Sequence, residues 1–170
     1  MYFCWLCKMK FEIVELLDFS GYKARIYTVI LNHEPLSIFD NFVNENIPIF
    51  PEEIDDILSK IETIGHETGA REHFFKPNEG TLGDGICALY DNPDNKIRLY
   101  CIKYGSTTGG GGRKNVRALQ DDPKLKHENY LLRKISNLIT KAIKEGDISW
   151  AADGKRLIGN LIIQDDEDNE

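Results

Sequence analysis

No apolar run in this chain approaches the roughly 18 residues that a membrane-spanning helix needs, so no span is expected. The opening stretch, MYFCWLCKMKFEIVELL, is apolar but has neither a basic leading segment nor a small-residue cleavage site, so no secretory signal is expected either. Both readings point to the cytosol. Cysteine is scarce, with four in 170 residues. Cys4 and Cys7 form a C-x-x-C, yet no second Cys or His pair stands at zinc-ligand spacing, and no strand-to-helix context supports a redox motif. No metal and no cofactor is expected, and all four cysteines read as apolar residues, Cys87 and Cys101 in core strands.

Nucleotide-binding motifs are missing as well. The segment YGSTTGGGGRKNVRALQ, residues 104–120, places four glycines before an Arg-Lys pair. A phosphate-binding loop needs Gly-x-x-x-x-Gly-Lys-Ser/Thr at a strand-to-helix junction. Here Gly111 follows Gly110, and Asn115 follows Lys114. No βαβ unit surrounds the run, so a dinucleotide fingerprint fails too. A plain linker fits poorly, because regular elements flank the run closely. The remaining reading is a strand end that exposes cations to an anion.

A basic composition is also lacking, since the net charge is −7. The charge is unevenly spread. Between Lys96 and Lys144 twelve Lys or Arg face only three acids, a local excess of nine, which leaves sixteen negative charges for the rest. From Glu34 to Asp56 there are seven acids and no Lys or Arg. Such asymmetry points to a polyanion-facing surface on an acidic body.

What is present is an ordinary mixture of strand and helix signals. KFEIVELL and YKARIYTVIL read as strands around a DFSG turn, the second apolar on both faces and therefore interior. PLSIFDNFVNEN reads as a short helix with Ser37 near its start. In PEEIDDILSKIETIG, Pro51 suits the first turn, and Ile54, Ile57, Leu58, Ile61 and Ile64 form a buried stripe, with Gly65 as the stop. REHFFK, ICALYD and KIRLYCIKYG read as strands, the last two joined by NPDN. In the last, Ile97, Leu99 and Cys101 face one way, with Lys103 following them, and Arg98, Tyr100, Ile102 and Tyr104 face the other. A long helix opens at Asp122 and Pro123 and ends before Gly146, and GKRLIGNLIIQ reads as one more strand. Residues 1–164 are expected to form one domain, with 165–170 an acidic, disordered tail.

This order of elements resembles the RelE/ParE/HigB-like toxin superfamily over roughly residues 22–145. The likeness rests on YKARIYTVILNHEPLSIFDNFVNEN, EEIDDILSKIETIG, FFKPNEGTLGDGICALY and KIRLYCIKYGSTTGGGGRKN. It implies an α+β fold, with a small curved antiparallel sheet packed against two N-terminal helices and, in this chain, an added C-terminal helix and N-terminal strand. It implies a messenger-RNA endonuclease working at the ribosome by metal-free transesterification, held in check by a cognate antitoxin. A gyrase-poisoning activity, or a non-catalytic module of the same fold that binds protein or nucleic acid, are the other functions the likeness allows.

Lys76, Gly80, Gly85, Arg98, Arg113 and Lys114 occupy the family's lysine, glycine-turn, strand-arginine and basic-segment places. On that likeness Arg98, Arg113 and Lys114 hold phosphate, Tyr104 and His73 move protons or stack a base, and Lys76, Lys103 and Arg117 line the RNA path. Arginine suits a phosphate because its planar fork donates paired hydrogen bonds. Ala88 and Tyr90 stand where family members often carry Glu and Arg. His33, His66 and His127 read as surface residues.

Overall fold

The computed structural model describes residues 8–76, 85–90, 94–104 and 123–165, the last range without the side chains of 123–126. The elements run β1 (Lys10–Glu15), β2 (Tyr27–Leu31), α1 (Ile38–Asn46), α2 (Pro51–Thr63), β3 (Phe75–Lys76), β4 (Ile86–Leu89), β5 (Tyr100–Ile102), α3 (Pro123–Glu145), β6 (Ile148–Trp150), β7 (Leu157–Gly159) and β8 (Ile162–Gln164). The class is α+β, as expected. The single curved sheet is not found among the described residues. Instead there are three small antiparallel sheets, in the orders β2-β1-β8, β3-β4-β5 and β6-β7. Nor do two N-terminal helices share one sheet with α3. The side chains divide between two cores, and that division explains the difference.

The first core holds Phe11, Ile13 and Val29 from the first sheet against Ile135, Ile139 and Ala142 of α3, with Ile148 and Leu157 from the β6–β7 hairpin. In the second, Ile54, Ile57, Ile61 and Ile64 pack with Leu89 and Ile97, and Phe39, Phe42 and Val43 of α1 join them. The α2 stripe read from the sequence is thus correct, with Leu58 at its half-buried margin. Ser37 caps α1. Its hydroxyl accepts from the Asp40 amide at 3.1 Å, and the Asp40 carboxylate accepts from the Ser37 amide at 3.2 Å. This reciprocal pair satisfies two amides that the first turn leaves open.

Gly65 does not end α2. The chain continues through a π-helical turn, Ile64–Thr68, and stops at Gly69, whose φ of +76° suits glycine. Gly65 has a different job: a Cβ there would collide with the Phe19 carbonyl. The contact lets the Gly65 carbonyl accept from the amides of Lys23 and Ala24, at 3.0 and 3.1 Å. GKRLIGNLIIQ is two strands, not one, because Asn160 turns back to donate to the Asp147 carbonyl at 2.9 Å. Asp165, assigned above to the tail, is buried. Its amide donates to the Met9 carbonyl at 2.7 Å, and its carboxylate pairs with Lys134 at 2.8 Å.

Gly65→Ala is expected to lower unfolding stability by about 1–3 kcal/mol, since backbone must shift to admit the methyl group. Gly146→Ala meets no neighbour within 4 Å and carries only the strain of φ +84°, so it should cost about 1 kcal/mol. Urea denaturation of both variants checks the ordering.

Candidate nucleic-acid interface

The strand that carries Arg98 is held from two sides. On one, the Leu89 amide donates to the Leu99 carbonyl at 2.9 Å, and the Lys103 amide donates to the Gly85 carbonyl at 3.0 Å, so the β4–β5 ladder extends beyond both ends of β5. On the other, Glu53 in the first turn of α2 accepts from the amides of Lys96, at 3.0 and 3.1 Å, and of Ile97, at 3.1 Å. A carboxylate clamped on two backbone amides fixes the approach to Arg98.

The expected alternation holds. Ile97, Leu99 and Cys101 enter the second core, while Ile102 and Tyr104 pack on the first. Residues directly opposite in a ladder share a face. Lys76 opposes Ala88, and Ala88 opposes Tyr100. Tyr90, two residues beyond Ala88, and Arg98, two before Tyr100, fall on that same face and at one end of the sheet.

Tyr90 is the hub of this end. Its ring is 55% exposed. The Lys76 ammonium lies 5.1 Å from the ring centroid, a cation–π contact. Lys60 of α2 donates to the Tyr90 carbonyl at 2.9 Å and to Asp56 at 2.7 Å. The Tyr90 amide donates to the Phe74 carbonyl at 2.6 Å. The exposed His73 ring rests against Phe74, centroids 4.2 Å apart. Lys76, Lys60 and Phe74, the ring neighbour of His73, are thus tied to Tyr90, and the ladder register sets Arg98 opposite it.

The ladder register puts Lys76 and Arg98 on one face at the Tyr90 end and His73 borders it through Phe74, whereas Tyr104 and Lys103 do not join them. Six residues of extended chain separate Arg98 from Tyr104, about 20 Å. Tyr104 packs under α3 with its ring 5.9 Å from that of Trp150. Its hydroxyl is buried and makes no well-formed hydrogen bond among the described residues. Burial pushes the phenol above its ordinary pKa of 10.0, and nearby Ser136 and Thr140 pull it only part of the way back. Lys103 takes the opposite face, its ammonium 5.5 Å from the Phe75 ring centroid. Arg113, Lys114, Arg117 and Gly80 lie outside the described residues.

The sequence reading missed three contributors. Tyr90 stands where the family often carries a cation, Glu53 is one of the seven acids between Glu34 and Asp56, and Lys60 follows them in the same helix. The 3.6-residue period from Asp56 to Lys60 was a usable signal for their ion pair. Nothing local could have announced the clamp by Glu53, which joins residues 43 apart.

Cys87 and Cys101 oppose each other in the ladder as free thiols, and burial raises the Cys101 pKa. Among the described residues no group of three His, Cys, Asp or Glu could hold a metal ion, and no helix is long and apolar enough to cross a membrane. No protein-family model, curated protein or solved structure matches this chain.

A buried neutral phenol adds stability that is fully present below pH 10 and is lost as pH rises through its elevated folded value. Tyr104→Phe is expected to leave neutral-pH stability within about 1 kcal/mol and to extend the folded range above pH 10. Denaturation midpoints at neutral and alkaline pH check this.

Proposed function

We propose that this protein engages single-stranded RNA at the Tyr90 end of its second sheet, in the manner of a toxin-like endoribonuclease. The observation that carries the reading is the Lys76 ammonium over the exposed Tyr90 residue, with Lys60 on the Tyr90 carbonyl and Arg98 opposite Tyr90 in the ladder register. Cations that follow a phosphate backbone, together with a ring on which a base can stack, are what single strands require. Arg98 and Lys76 hold phosphate in this reading, and Tyr90 stacks the splayed base.

The same residues supply the parts of a metal-free transesterification. His73 takes the proton from the ribose 2′-hydroxyl as that oxygen attacks the adjacent phosphate, the P–O5′ bond breaks, and the cations stabilise the phosphorane between. The 5′-oxygen leaves with a proton from water or from the Tyr90 phenol. An antitoxin covering this end, and the ribosome as the place where messenger RNA is met, belong to the proposal.

The second reading, a non-catalytic binding module, is favoured by the burial of Tyr104, which removes that phenol from any proton transfer. Gyrase poisoning draws no support from a stacking platform.

Fluorescence anisotropy with a labelled RNA 12-mer tests the binding. Arg98→Ala and Lys76→Ala are each expected to weaken it about tenfold, with a shallower salt dependence. Glu53→Gln removes a negative charge, which simple electrostatics would reward. Loss of the clamp predicts weaker binding instead. His73→Ala should bind RNA within about twofold of wild type but abolish cleavage and the growth arrest caused by expression. Cutting that survives His73→Ala gives the proton transfer to another group. Absence of cutting by the wild type leaves the binding module.

A further inference from the structure

A cavity of about 1110 Å³ opens between the first and second sheets, bounded by β2, by residues 96–104, and by α1 and α3. That exceeds the roughly 300–1,000 Å³ of small-molecule pockets. Its walls are largely apolar, with Ile38, Phe39 and Phe42 from α1 and Leu131 and Ile135 from α3.

One boundary has directional chemistry. In the β1–β2 ladder the Leu16 amide donates to Ile26, and the Asn32 amide donates to Lys10. The even-numbered residues of β2 therefore exchange their hydrogen bonds with β1, and those of Tyr27, Val29 and Leu31 point away from it. The amides of these three, and the carbonyls of Tyr27 and Val29, have no backbone partner among the described residues. The Leu31 carbonyl already accepts from Glu34 at 2.7 Å. β2 is also covered above and below: Val29 is buried in the first core, and Thr28 receives the Phe39 amide of α1. Both faces of the strand are thus occupied, while, apart from Glu34 at the Leu31 carbonyl, no described residue hydrogen-bonds to its outer edge. Alternating donors and acceptors on an edge, with apolar walls on both sides, match one more strand.

The charge of the cavity narrows the occupant. Seven Lys or Arg and three Asp or Glu line it. The lining therefore carries a formal excess of four positive charges. We infer that β2 is a docking edge for an extended peptide segment of a partner protein, with alternate apolar residues and acidic flanks. Its hydrogen bonds lie on β2, and Tyr90, Lys76 and His73 do not line the cavity, although Arg98 lines it and also belongs to the RNA reading.

The test uses the full chain and a synthetic ten-residue peptide of alternating valine and threonine flanked by glutamates. Two controls accompany it, one with lysine flanks and one N-methylated at alternate backbone amides. The acidic peptide is expected to bind, with at least tenfold loss on N-methylation and on charge reversal of the flanks. Hydrogen exchange at the Tyr27, Val29 and Leu31 amides should slow at least tenfold at saturation. Three results would overturn the inference: equal binding of the N-methylated peptide, no binding of the acidic one, or full protection of these amides in the free protein. The last would mean that this chain or a second copy already covers the edge.

Discussion

The arrangement depends on burial of one stripe of α3 against two sheets that do not hydrogen-bond to each other. Ile135 is 1% exposed and packs with Ile139 and Ala142 on Phe11, Ile13 and Val29. The same helix covers Ile102 and Tyr104, at the far end of the strand that begins near Arg98. Each such side chain contributes about 1.5–3 kcal/mol on burial, and no ladder among the described residues substitutes for it between β2 and β5. α3 therefore sets both the position of the Arg98 strand and the width of the space beside β2. The helix also buries Asn129 and Ser136, and Asn129 is satisfied in part by accepting from Arg133 at 2.8 Å.

Charge separation acts differently from what the sequence suggests. The acids of α2 do not simply form a side remote from the cations. Glu53 reaches across to hold the amides before Arg98, and Asp56 holds Lys60 against the Tyr90 carbonyl. Two carboxylates of the acidic helix thus position members of the cationic cluster. Their cost to a bound polyanion is limited, because each is already turned towards a donor. The Lys60–Asp56 pair is partly exposed and adds little stability by itself. Its consequence is geometric.

Much of this was legible where a single element decides it. The isoleucine period of α2, Ser37 at the start of α1, and the alternation from Ile97 to Tyr104 all read correctly, since a helix turn or a pleat determines each. Arg98 and Lys76 come from the family likeness rather than from local chemistry, and the ladder register puts them on one sheet face. What escaped depends on pairs distant in sequence. Gly65 looked like a helix stop because its close approach to Phe19 is invisible along the chain. The break between β2 and β5 escaped for a similar reason: β2 is apolar on both faces and reads as interior, yet helices, not a neighbouring strand, supply that environment. Tyr104 shared a strand with Arg98, but period and face say nothing about which end of a strand a helix will cover.

The two proposed partners differ because the two surfaces differ. At Tyr90 the exposed groups are cations and a ring face, which suit phosphate and base but offer no repeating acceptor. Along β2 the open groups alternate N–H and C=O about 7 Å apart. An RNA backbone presents acceptors on its phosphates and only the ribose 2′-hydroxyl as donor, so it does not alternate N–H and C=O as the Tyr27 and Val29 edge requires. A peptide backbone supplies both at matching spacing. Arg98 lies at the junction, on the Tyr90 face and at the margin of the cavity. Occupancy of the β2 edge by an acidic segment would place carboxylates near the guanidinium proposed to hold an RNA phosphate. Both ligands would then draw on one cation, which couples the two surfaces with a negative sign.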